Sequence, residues 1–203
     1  MALDTYANLK TAIADYLDRD DLTSNIDDFI DIAEARHKRE IRIREQIERA
    51  QANMTARYTA LPSGFLEMRS LRLLTDPVTL PRQVNIDEMN RLRRETTGKP
   101  KYFCIHEELE VDVTPDTTYS AEMIYYGAFS GLSDAVTSNT LLTKAPDVYL
   151  YASLAAAAPF LVDDERIALW EQLYRDARDT LMSANRKAHY GSPLFSRPIG
   201  ATP

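Results

Sequence analysis

The sequence predicts an α+β protein, mainly α: an antiparallel helical bundle with an inserted small β-rich domain and an extended C-terminal tail. Three observations predict it. Apolar residues recur at helical spacing over the first 50 residues and again from residue 145 to residue 188. Between them, residues 54–129 shift to a period near two with recurring turn residues. Residues 191–203 hold three prolines and two glycines, so they cannot continue a helix and have no core of their own. Helices that flank an insertion in sequence often pack together in space, which gives the bundle. The expected organisation is bundle helices 1 and 2 in residues 1–53, the β-rich domain in 54–129, bundle helices 3 and 4 in 130–190, and the tail in 191–203.

The first helix is expected over residues 4–17, where Leu3, Tyr6, Leu9, Ile13 and Leu17 share one face. Asp18-Arg19-Asp20-Asp21 ends it. The second helix is expected over residues 26–50, with Asn25 as its N-cap. Ile26, Phe29, Ile30, Ala33 and His37 form its stripe, extended less regularly by Ile41, Ile43 and Ile47. Acidic residues sit early (Asp27, Asp28, Asp31, Glu34) and basic ones late (Arg36, Lys38, Arg39, Arg42, Arg44, Arg49), which suits the helix dipole.

In the β-rich block, the turn Leu61-Pro62-Ser63-Gly64-Phe65 leads into a strand over 66–74, which Asp76-Pro77 breaks. Asn85 caps a short helix ending near Arg94, and Thr96-Thr97-Gly98-Lys99-Pro100 reads as a loop. Leu109, Val111 and Val113 alternate with Glu108, Glu110 and Asp112, a half-buried strand. A last strand covers 120–126, and Thr137-Ser138-Asn139-Thr140 is a polar loop. Pro146 then opens an alanine-rich helix at a favoured first-turn position. The final helix carries a packing seam of Ile167, Trp170, Tyr174, Ala177, Leu181, Ala184 and Ala188, whose spacings alternate three and four over three heptads.

The chain has 203 residues, 44% of them hydrophobic, enough for a sizeable core. Its net charge of −7 makes it a poor general binder of nucleic acid, because affinity for phosphates comes from Lys and Arg. Such a surface could still line a passage for DNA, where repulsion prevents sticking. Cys104 is the one cysteine, so no intrachain disulfide is possible. The N-terminus has no secretory pattern and no apolar run reaches membrane length, so a soluble chain with no membrane partner is expected.

The chain resembles the head-to-tail adaptor proteins of tailed bacteriophages, in particular the podovirus-type adaptors below the portal. The matching parts are the second helix from Ile26 to Arg36, the Leu61-Pro62-Ser63-Gly64-Phe65 turn, Gly98-Lys99-Pro100 before a strand, Tyr125-Tyr126 closing the β-block, and Pro146 through Leu161. The resemblance implies a non-enzymatic virion component at the portal vertex, with the host cytoplasm as its place of assembly. It implies a self-assembled ring, usually of twelve subunits. The bundle would form the ring, the C-terminal segment would reach the portal protein, and the β-domain would face a downstream tail or nozzle protein. DNA would pass through the channel during packaging and ejection without sequence-specific binding.

The tail reads as an extended docking arm with Leu194, Phe195 and Ile199 as apolar anchors beside Arg197, in place of the disordered segment its composition would otherwise suggest. Pro193 and Pro198 lower the entropy cost of an extended bound form. Trp170 and Tyr174 read as core. The basic half of the second helix reads as a solvated or inter-subunit face, since Glu34, Glu40, Glu45 and Glu48 intersperse it. No catalytic residue, cofactor or metal site is expected. His37, His106 and His189 are too scattered to share a metal, and Cys104 with His106 offers only two ligands. Two other readings compete with the adaptor. A virion-associated peptidoglycan hydrolase would need a facing carboxylate pair and would release muropeptides. A small helical regulatory protein would be absent from purified virions.

Overall fold

The computed structural model describes residues 3–161 and 165–189. In chain order its elements are α1 (Tyr6–Leu17), α2 (Ile26–Glu40), β1 (Ile47–Met54), β2 (Tyr58–Ala60), β3 (Phe65–Leu73), β4 (Arg82–Gln83), α3 (Ile86–Leu92), β5 (Tyr102–Ile105), β6 (Glu108–Val111), β7 (Tyr119–Gly127), α4 (Thr140–Lys144), α5 (Pro146–Ala156) and α6 (Arg166–His189). Short 3-10 turns lie at Asp20–Asn25, Arg44–Gln46 and Ala158–Phe160. The protein is α+β and divides into two compact units, residues 1–44 with 130–203 and residues 45–129.

In the helical unit, α1 starts where Thr5 Oγ1 accepts from the Asn8 N–H at 3.3 Å. It stops at Asp18, which adopts the left-handed conformation with φ 52°. Its buried residues Tyr6, Leu9, Ala12, Ile13 and Leu17 form one stripe. α5 is buried around most of its circumference: Val148, Tyr149, Leu150, Ala152, Ser153 and Leu154 are all buried. That pattern belongs to a central helix, and α5 packs against α1, α2 and α6. Pro146 occupies its first turn, where a missing N–H costs nothing.

Three local expectations are corrected in or next to this unit. α2 ends at Glu40, ten residues before the predicted end, because Ile41 turns extended (φ −102°, ψ 127°). Ile41 and Ile43 are fully buried and Arg42 between them is not, a period of two that β-branched side chains favour. The chain then enters β1, whose eight residues pair with β7 from Ile47↔Tyr126 to Met54↔Tyr119. Asn25 does not cap α2 through its side chain, because it already sits in a helical conformation at the end of a 3-10 turn. The polar stretch before α5 is not all loop: Asn139 Oδ1 accepts from the Leu142 N–H at 2.9 Å and caps the five-residue α4.

The other unit holds two sheets. One is antiparallel in the order β1-β7-β3, and the second has the order β2-β6-β5-β4. In the second, only β4 runs parallel to its neighbour. The two share one core, to which β1, β3 and β7 supply Met54, Leu71, Leu73, Ala121, Met123 and Tyr125, and β5 and β6 supply Phe103, Leu109 and Val111. On the opposite face of β5, Cys104 packs with Val84 and Met89 under α3. The α3 cap forms as expected, with Asn85 Oδ1 accepting from the Glu88 N–H at 2.8 Å.

That second layer corrects the half-buried reading of β6. Glu110 and Asp112 are only 2% and 5% exposed, so the acidic face is covered from Glu110 onward, while Glu108 stays exposed. The Asp112 carboxylate accepts from the Lys101 and Tyr102 N–H groups at 3.0 and 3.2 Å, and Glu110 is paired with Arg93 from the end of α3. Alternation identifies which face is apolar, but not whether another element lies over the polar one.

Gly64 brings the chain into β3 at φ +72°. A Cβ there would meet Ala128 atoms at 3.7 and 3.8 Å, ordinary contacts, so space is not the constraint. Gly64→Ala should therefore cost only the left-handed backbone penalty, about 1–2 kcal/mol. Urea unfolding of the β unit should show a lower midpoint with an unchanged slope. An unchanged midpoint would show that the turn relaxes at no cost.

Candidate functional site

The proposed arm anchors Leu194, Phe195, Arg197 and Ile199 lie outside the described residues. The helix that leads toward them, α6, is described to residue 189. Along its seam Trp170 and Tyr174 are buried, Ile167, Ala177 and Leu181 are partly buried, and Ala184 and Ala188 are exposed. The apolar stripe is thus covered deeply over its first turns and progressively opened toward the C-terminal end.

Where α6 is covered, a charged cluster fastens it to α2. The Arg36 guanidinium donates to both Glu171 oxygens, at 2.7 and 2.8 Å, and through Nε to Glu40 at 2.9 Å. Glu40 Oε2 also accepts from Arg178 at 2.6 Å and from the Tyr174 hydroxyl at 3.0 Å. The Arg36 guanidinium lies 4.0 Å from the centre of the Tyr174 ring. The hydrogen bonds from Arg36 hold the Glu171 carboxyl down at about 2, against burial and with help from Arg175. Burial pushes Glu40 up, but Arg178, Arg36 and Tyr174 together keep it below the ordinary carboxylate value. Arg36 is therefore engaged within the unit and is not part of an open basic face. Arg49 lies on β1 in the other unit, so the late basic residues do not form one continuous helical stripe.

Beneath the cluster, His37 is buried with its ring edge-on to Tyr149 at 4.7 Å and stacked on Tyr174 at 6.1 Å. Among the described residues, neither His37 ring nitrogen has a hydrogen-bond partner of normal geometry. Burial pushes the imidazole down to about 4, opposed by the Val148 backbone and the Glu40 charge. Nearby, Glu34 Oε1 accepts from the Leu132 N–H at 2.7 Å and from the Tyr149 hydroxyl at 3.2 Å. Asn139 donates to Tyr149 Oη at 2.7 Å and to the Ser130 carbonyl at 2.8 Å. These bonds fix the segment that re-enters the helical unit onto α2 and α5. Sequence spacing did not reveal this role for Glu34, which looked like one of several early acidic residues.

The neutral form of His37 is the one the fold keeps, so its contribution to stability is complete above about pH 6.5 and is lost as pH falls through about 4. The unfolded chain binds the extra proton across that window. The expected loss is on the order of 2–4 kcal/mol. His37→Phe should flatten the unfolding free energy between pH 6.5 and 4. Glu171 acts only at lower pH, between its ordinary value of 4.5 and about 2. A slope unchanged by His37→Phe would place the titrating group elsewhere.

In the β unit, the segment around the Asp76-Pro77 break and the Thr96–Pro100 loop are tied together. Lys99 Nζ donates to the Thr75 carbonyl at 3.0 Å and also to that of Pro77. Val78 and Leu80, which follow, are 55% and 69% exposed, an apolar pair on the surface. At the β5–β6 hairpin the structure brings Glu110 to Cys104 and His106, a third metal-type ligand beside the two noted in the sequence. Burial, together with the Glu110 charge, pushes the Cys104 thiol up to about 11. No helix among the described residues is long and apolar enough to cross a membrane.

No curated protein matches the chain. A family model described as SU10 adaptor protein matches residues 4–197, taking in α1 through α6, the whole β unit and the start of the tail. This agrees with the resemblance to phage head-to-tail adaptors carried by the second helix, the Gly64 turn and the Pro146 helix, and the chain belongs to the SU10 adaptor protein family.

Proposed function

We propose that this protein is a structural component of a phage virion, docking as a ring on the portal and joining it to the next tail protein. The family match over residues 4–197 is the observation that carries this reading. In it the helices of residues 1–44 and 130–190 act as an antiparallel bundle that builds the ring, the twelve-subunit ring that the resemblance implies. The seam residues Ile167, Trp170, Tyr174, Ala177 and Leu181 hold α6 in that bundle. The arm, with Leu194, Phe195, Arg197 and Ile199, seats on the portal. DNA passes through the centre, and the net charge of −7 per chain keeps the wall from retaining it. Packaged and ejected DNA therefore meets a surface that does not read its sequence. The decisive experiment is imaging purified particles that carry a labelled copy of this chain. Density for a closed ring at the portal vertex is expected; a particle lacking the chain, or carrying it elsewhere, would refute the reading.

The β unit carries the contact with the downstream protein through the Lys99-tied loops. Exposed apolar side chains on a rigid scaffold suit a binding surface. Leu80→Asp and Val78→Asp should leave portal loading intact and weaken tail attachment by on the order of 2 kcal/mol per subunit. Quantitative pull-down of each partner would separate the two contacts, and loss of portal loading in a folded variant would reverse the assigned orientation.

A further inference from the structure

The β5–β6 hairpin gathers three different metal-type ligands on one face. Glu110 lies directly across the antiparallel ladder from Cys104. His106 follows Cys104 by two residues, so strand alternation keeps it on the same side. Glu110 Oε2 is the common point: His106 Nε2 stands 3.3 Å from it and Cys104 Sγ stands 3.7 Å from it. The three ligand atoms all lie within 4.8 Å of one another. The geometry points to a binding site for a divalent transition-metal ion of the zinc class, held by Cys104, His106 and Glu110 with the fourth position taken by water.

The donor set selects the ion. Thiolate, imidazole and carboxylate together suit zinc, whereas calcium and magnesium take oxygen ligands. Zinc–ligand bonds of roughly 2.0–2.3 Å in a tetrahedron put neighbouring ligand atoms roughly 3.3–3.8 Å apart. The 3.3 and 3.7 Å spacings at Glu110 Oε2 already fall in that range, and all three ligand atoms lie within 4.8 Å. The other carboxylate oxygen, Glu110 Oε1, is held by Arg93, which aims Oε2 at the centre as an outer partner should. Cys104 and Glu110 are buried and His106 is exposed, so one side of the cluster is open to an entering ion. On binding, the Cys104 S–H bond is replaced by a sulfur–metal bond and the proton passes to bulk water. The aqueous ion gives up waters for the three side chains. The bound metal would cross-link β5 to β6 and so brace the β unit.

The test uses the full chain, purified without a metal-affinity tag and kept reduced. Cobalt(II) is the probe. Wild type should develop a thiolate-to-cobalt charge-transfer band and the strong visible bands of tetrahedral cobalt, saturating at one ion per chain, and added zinc should remove both. Cys104→Ser should lose the charge-transfer band. His106→Asn changes an exposed side chain, so it keeps the fold and should lose the tetrahedral bands. Arg93→Gln should weaken cobalt binding roughly 10–100-fold through the outer shell. A wild-type chain that develops no charge-transfer band, or a Cys104→Ser chain with the same band, overturns the site and leaves these residues as an ion-pair cluster around Arg93.

Discussion

Deleting residues 191–203 should abolish loading onto the portal while leaving the helical unit folded. The core of that unit is built by α1, α2, α5 and α6, with Leu9, Ile13, Phe29, Ile30, Tyr149 and Tyr174 fully buried before the tail is reached. The last turns of α6 expose Ala184 and Ala188, so the stability of the unit is concentrated upstream of the deletion. The attachment energy is expected to sit in the arm. Leu194 and Phe195 each offer about 1.5–3 kcal/mol on full burial, before ordering costs. Pro193 and Pro198 reduce those costs by limiting the unbound ensemble. Around a ring, a modest contact per subunit becomes tight through repetition. Leu194→Ala and Phe195→Ala should therefore each weaken loading with an unchanged circular dichroism spectrum. A deleted chain that loads with wild-type affinity would assign the docking to the helices.

The parts of the fold legible in the sequence were those whose pattern is local. α1 follows from Tyr6, Leu9, Ile13 and Leu17 at helical spacing, and α3 from the Asn85 cap. β3 and β7 follow from runs of alternating or continuous apolar residues bounded by turns. Residues 41–50 were misread because Ile41, Ile43 and Ile47 fit a loose helical stripe as well as a strand. Only pairing with β7, more than 70 residues away at Tyr126, decides between them. The covered acidic face of β6 was hidden for a similar reason: nothing near Glu110 in sequence indicates that Arg93 and α3 lie over it. The same gap concealed the metal-type cluster, whose third ligand comes from the register of a hairpin. The clasp between Arg36 and Glu171 joins residues 135 apart, beyond the reach of any spacing argument. The arm anchors rest on the composition of residues 191–203 and on the resemblance, and they lie outside the described residues.

Tyr174→Ala should be the most damaging single change in the helical unit, at about 3–5 kcal/mol. Tyr174 is fully buried, and its ring is the surface on which α2 and α6 meet: His37 stacks on one side and the Arg36 guanidinium lies over it. Removing the ring opens a cavity beside a paired Arg36–Glu171, so water reaches an ion pair that was partly shielded, and the pair weakens with it. Tyr174→Phe separates the two contributions. It keeps the ring and deletes only the hydroxyl bond to Glu40. Glu40 still accepts from Arg178 at 2.6 Å and Arg36 at 2.9 Å, so the expected cost is about 1 kcal/mol. Urea unfolding should thus rank wild type above Tyr174→Phe by a small step and above Tyr174→Ala by a large one. Because α6 leads directly into the arm, Tyr174→Ala should also reduce portal loading, and Tyr174→Phe should not. Equal damage from the two substitutions would mean that the hydroxyl–Glu40 bond, and not ring packing, fastens α6 to α2.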